Sequence, residues 1–184
     1  AVLFVASVCQ VYEQRSLTRI TMKGYLYVEE DLLGKPNKTY IKRYFVSYRF
    51  CGLKWFTKEA TEIKNSAYLQ CISNDTCGWV YGGSIFVESI DVEKEIPHKD
   101  HAIYPFVVQL SCGEHKTSIR LASKSEDLRS KWVDEINLSM KIMAFVSACV
   151  QNDVLPHPAI FDAVRDNVED AMTLTVGPVT PRHL

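Results

Sequence analysis

Residues 119–136 read IRLASKSEDLRSKWVDEI, and within them the spacing of apolar residues changes from two to about four. Before Ser123 the alternation is that of a strand, whose side chains point to opposite faces in turn. Ser123 and Glu126 have the spacing of a capping box, in which each side chain satisfies an unpaired amide at a helix start. Leu128, Trp132, Ile136 and Met140 then recur every four residues and form a stripe that must be buried. A Trp in that stripe predicts a helix that plugs an apolar opening. Apolar residues continue through Ile142, Phe145, Val146 and Val150 until LPHP (155–158) stops the pattern.

The segments upstream read as strands. RITMKGYLYVEE (19–30) is rich in β-branched and aromatic residues and runs into a loop carrying Gly34 and Pro36. TYIKRYFVSYRF (39–50) is a second strand, Gly52 marks a tight turn, and LKWFTKE (53–59) returns as a third. Residues 60–83 exceed an ordinary connection and predict a short helix or extra strands. SIFVESIDVEKEI (84–96) reads as one or two strands and Pro97 as the start of a polar break. AIYPFVVQLSC (102–112) and HKTSIRLAS (115–123) form a hairpin turning at Gly113 and Glu114. Up to this point the strands read as one meander. After the first helix, Ile160, Val164, Val168 and Met172 define a second amphipathic segment, and the tail from Gly177 reads as unstructured.

Length and composition set the outer bounds. A chain of 184 residues fits one domain with extensions: 1–18 an apolar N-terminal extension, 19–150 the domain, 151–184 a helical extension and tail. A net charge of −1 argues against whole-protein attraction to nucleic acid, so electrostatic work must come from uneven placement. Six cysteines, several inside apolar runs, read as reduced thiols of an intracellular protein, with closure of a Cys71–Cys77 loop as the alternative. The opening AVLFVASV is too short to span a bilayer and lacks a basic flank, so the expectation is a chain that begins inside a longer sequence or after processing.

In order, KGYLY (23–27), KRYFV (42–46), LKWF (53–56), PFVVQL (105–110) and the 119–136 stretch resemble the pleckstrin homology (PH) superfamily over about residues 20–145. The resemblance implies a mainly β, α+β fold: a seven-stranded, partly open barrel or sandwich capped by a C-terminal helix that places Trp132 in the core, here followed by a second helix. It implies a non-catalytic adaptor without cofactor or metal, on the inner face of a membrane. Phosphoinositide-binding members hold phosphates with a Lys near the end of strand one and with the pattern base-x-Arg before two aromatics. Arg43 before Tyr44 and Phe45 matches the Arg of that pattern. Ile41 stands where its first base would be, and Tyr27 and Val28 occupy the strand-one position.

From Leu32 to Lys58 there are seven bases and no acid. Near an anionic membrane each well-placed base contributes about 1 kcal/mol. The candidate head-group set is Lys35, Lys38, Lys42, Arg43 and Lys54, for phosphatidic acid or a phosphoinositide, with Leu32 and Leu33 as candidates for insertion into the interface. Against it stand Glu29, Glu30 and Asp31 in the same region, and the habit of half-solvated strands to carry bases outward. The alternative function is a protein-docking scaffold using 1–18 or 158–172. HKDH (98–101), near Cys71 and Cys77, fits no common zinc spacing, and no nucleophile elbow or phosphate-cradling Gly motif is present.

Overall fold

The computed structural model describes residues 20–30, 39–48, 52–57, 77–82 and 85–151. Eight strands precede one helix: β1 (Ile20–Glu30), β2 (Thr39–Tyr48), β3 (Gly52–Phe56), β4 (Cys77–Tyr81), β5 (Phe86–Val92), β6 (Ile96–His98), β7 (His101–Cys112), β8 (His115–Ser123) and α1 (Glu126–Gln151). The main path is β4-β3-β2-β1-β8-β7-β5, antiparallel throughout and not closed, with β6 paired to β7 off that path. The fold is mainly β with a helix, as the sequence implies, but the eight strands do not form one meander. The long β1 pairs with β2 on one side and, through Tyr27 and Val28, with β8 on the other, which joins two antiparallel runs.

One local feature departs from the sequence expectation and another meets it. Pro97 does not begin a break: it lies inside β6 opposite Ala102, on a strand flanked by one partner, where a missing amide hydrogen is tolerated. Residues 60–83 do contain an extra strand, β4, and the chain then turns into β5 where Gly82 and Ile85 exchange two backbone hydrogen bonds of 3.0 and 3.1 Å. Gly52 is required where it stands. Its φ is 121°, and a Cβ there would lie 2.1 Å from the Tyr81 carbonyl oxygen, so no side chain fits between β3 and β4.

The helix starts two residues later than the capping-box spacing indicates. Ser125 is the cap, its hydroxyl accepting the Leu128 amide at 3.3 Å, while Ser123 still ends β8 and donates to the Ser125 carbonyl. The buried face of α1 is Arg129, Trp132, Ile136, Ser139 and Ile142, a three-four spacing; Leu128 and Met140 lie half-buried beside it. Trp132 is fully buried, with its ring edge-on to Phe45 at 6.4 Å and in reach of Gly24. Around it pack Leu26, Leu53, Phe106, Val108, Leu121 and Ile136. A polar contact fixes the helix's position: Glu135 accepts the Ser47 hydroxyl at 2.7 Å and the Thr21 hydroxyl. Thr21 and Ser47 lie at the start of β1 and the end of β2, so α1 is pinned to the end of that hairpin remote from its connection.

β2 is covered on both faces. Phe45 and Ser47 look toward α1, while Tyr44, Val46, Tyr48 and Phe56 form a second buried cluster with Ile20 and Tyr25. The sheet is thus covered on both faces at residues 44–48, while β5 and the start of β8 keep exposed positions. The LPHP stop, the second amphipathic segment and the ends 1–18 and 152–184 lie outside the described residues.

Because the indole N–H of Trp132 is buried with no hydrogen-bond partner among the described residues, Phe at this position forfeits volume but no hydrogen bond. Trp132→Ala is expected to cost about 3–5 kcal/mol of unfolding free energy and Trp132→Phe markedly less, as measured by urea titration.

Candidate functional site

Adjacent residues of a strand face opposite ways, and this divides the predicted basic set. Lys42 is opposite Tyr27 and Arg43 is opposite Leu26; Leu26 belongs to the core under α1 and Tyr27 to the outer face. Lys42 is exposed, with its ammonium 4.1 Å from the centroid of the Tyr25 ring, so its stem lies on an aromatic surface and its charge reaches solvent. Arg43 is on the core side of the sheet at the β1–β2 end. Its guanidinium donates to Glu30 at 2.8 Å and stands 5.4 Å from the Trp55 ring. A phosphate approaching Arg43 must displace or share with Glu30, the cancellation that the acids of this region foreshadow.

Lys54 does not belong to a surface site. It is 3% exposed, opposite Val46 in the register, with its ammonium 5.5 Å from the Phe56 ring. Its place is in the second cluster, where the covered outer face of β2 and β3 leaves no route for a head group. Lys35, Lys38, Leu32 and Leu33 lie outside the described residues. Of the five bases chosen from the sequence, the structure therefore describes three: one exposed, one ion-paired and one buried. Trp132 takes the structural position expected of it.

Strand pairing also builds a cluster that the sequence pattern conceals. Arg120 on β8 donates to Glu29 at 2.9 Å and to Glu93 at 2.6 Å, tying β1 to the connection after β5. Tyr40 lies beside this triad; its hydroxyl is pushed up to about 12, by burial first and then by Glu29. Below it the β6–β7 hairpin folds over the outer face, so that His98 and His101 meet Tyr27 with ring centroids at 5.1 and 6.1 Å. His98 and His101 read as an isolated motif in the sequence. Their partnership follows from a two-residue turn, which places residues i and i+3 opposite each other.

On the helix side a groove of about 440 Å³ runs between the connection after β5 and the first turns of α1, lined by Val92, Glu93, Lys94, Glu95, Tyr104, Glu126 and Arg129. Arg129 is fully engaged, donating to the Glu93 carbonyl and to Glu126, both at 2.7 Å. Glu95 raises the Tyr104 hydroxyl. Three carboxylates, Glu93, Glu95 and Glu126, outnumber the groove's two bases, Lys94 and the ion-paired Arg129, so its charge balance does not favour a phosphate. Among the described residues no cluster of three or more His, Cys, Asp or Glu is arranged to hold a metal ion, and no helix is long and apolar enough to cross a membrane.

Comparison of the sequence with protein-family models and with curated proteins finds no match.

The burial of Lys54 has a measurable consequence. Lys54→Ala is expected to lower unfolding free energy by about 1–3 kcal/mol through lost packing, read by urea titration, and to leave attachment to acidic liposomes unchanged. Weaker attachment at full stability would contradict the buried placement.

Proposed function

We propose that this chain is a non-catalytic module of the PH type that attaches to acidic phospholipid through the end of the β1–β2 hairpin. The observation that carries the proposal is the position of α1. Pinned by Glu135 to Thr21 and Ser47, and anchored by Trp132, the helix occupies one end of the hairpin, while Glu30 and Thr39 lie at the other end, toward Lys42 and Arg43. The strand order, with the first strand bridging two antiparallel runs and a single helix after the last, is consistent with the resemblance carried by residues 20–145.

Attachment of this kind is diffuse rather than stereospecific. Arg43 is neutralised by Glu30 and Lys42 faces away from it, so a multiply phosphorylated head group would not find a converging set of donors on β2. A compact phosphate such as that of phosphatidic acid demands less, and Arg43 offers it a forked contact if Glu30 yields. Lys35 and Lys38 would add charge from the intervening sequence. Binding should then weaken as salt rises, because exposed charges are screened over about 10 Å at 0.1 M.

A second reading, a protein-docking scaffold, is favoured by the same two facts that reduce the basic set: Lys54 is inside, and Arg43 has a partner. Liposomes separate the two. Lys42→Gln should weaken sedimentation with phosphatidic acid vesicles about fivefold, the equivalent of about 1 kcal/mol per base near an anionic surface. Lys42→Glu should weaken it further, and raising salt should reproduce the loss in the unaltered chain. Unchanged sedimentation of Lys42→Glu would refute the lipid reading and leave the scaffold.

A further inference from the structure

His98 and His101 close a hairpin whose turn is Lys99 and Asp100, with Lys99 in the left-handed region at φ 52°. Their rings face each other edge-on at 5.6 Å. Both pack on Tyr27, whose hydroxyl lies 3.3 Å from the Nε2 of His101. His98 also meets the edge of Tyr40 at 6.1 Å. The hairpin's own Ile96 and Ile103, with Ala122 of β8 and with Tyr27 and Tyr40, form a small cluster separate from the main core. A neutral His98 ring packs well on Tyr27 and Tyr40, whereas an imidazolium there would give up hydration and lie beside the Lys99 ammonium.

We propose that the β6–β7 hairpin is an acid-sensitive latch, docked on the Tyr27–Tyr40 face while the His98 imidazole is neutral and released when it gains a proton. The groups facing His98 from each neighbouring element favour this. β1 presents Tyr27, β2 presents Tyr40, β7 presents His101, and the turn presents Lys99 and Asp100. β8 contributes the methyl group of Ala122 to the cluster below. Glu29 of β1 and Glu93 of the connection after β5 are both committed to Arg120. Lys42, opposite Tyr27, holds its ammonium over Tyr25. Desolvation first, then Lys99 and His101, hold the His98 imidazole below its ordinary range.

The sign follows from linkage. A His whose docked pKa lies below its undocked value adds full stability above the undocked pKa, near 6.5, and loses it as pH falls from there through the docked value. Acid therefore loosens the hairpin and uncovers Tyr27, Tyr40 and Ile103 next to Lys42. The latch does not depend on what the β1–β2 end binds.

The test is a pH titration of the full chain by NMR, following the imidazole of His98 and the amides of Ile96, Ile103 and Ala122 between pH 7.5 and 5. We expect the His98 midpoint to fall below that of a free imidazole and the three amides to shift with it. Each pH unit separating docked and undocked pKa values is a tenfold change in the opening equilibrium. In His98→Phe, which keeps the ring packing and removes the proton, the acid-induced amide change should disappear. A His98 midpoint at the ordinary value overturns the proposal, as does the same acid response persisting in His98→Phe.

Discussion

The seating of Trp132 between β1 and β2 is the constraint on which the rest of the structure depends. An open antiparallel sheet has an apolar concave face that cannot remain in water. The indole fills it against Phe45 and beside Gly24. The nearby contact of Glu135 with Ser47 and Thr21 then fixes where along the hairpin the helix sits. Apolar packing alone would tolerate sliding by a turn; a carboxylate accepting from two hydroxyls does not, because the shift would leave a partly buried charge without donors.

The proposed attachment rests on which end of the hairpin is thereby taken. With α1 at the Thr21 and Ser47 end, the Glu30 and Thr39 end carries the exposed Lys42 on one face and Arg43, held by Glu30 and Trp55, on the other. The arrangement is that of a charged rim rather than a pocket. Electrostatics of such a rim fall off with salt and discriminate poorly among head groups. The outer face adds a different element, a hairpin whose two imidazoles rest on tyrosines beside the Arg120 ion-pair triad.

Much of the architecture was legible in the sequence because it is written in periodicity. The alternation in 19–30 and 39–50 located β1 and β2, Gly113 and Glu114 located the last hairpin, and the four-residue recurrence around Trp132 located the helix. Where local rules compete, they misled. Ser123 has capping-box spacing, yet the strand holds it and Ser125 caps instead. Pro97 resembles a break but is accommodated by a strand with one partner.

The site was less legible, for a physical reason. A count of bases along 35–56 carries no information on which face each one takes or on whether both faces are covered. Lys54 is buried because the outer side of β2 and β3 is packed, which alternation alone cannot reveal. The acids at 29–31 read as counter-charges to Lys35 and Lys38, whereas Glu30 in fact holds Arg43. The His98 and His101 cluster escaped notice because its partners, Tyr27 and Tyr40, are about 60 to 70 residues away and meet it only through strand pairing. The most direct measurement of the central claim is a map of backbone amide shifts on adding bicelles doped with phosphatidic acid. The account predicts changes concentrated at Glu30, Thr39, Lys42 and Arg43 and absent from residues 126–142 of the helix. Changes centred on the helix, or none at the hairpin end, would contradict it.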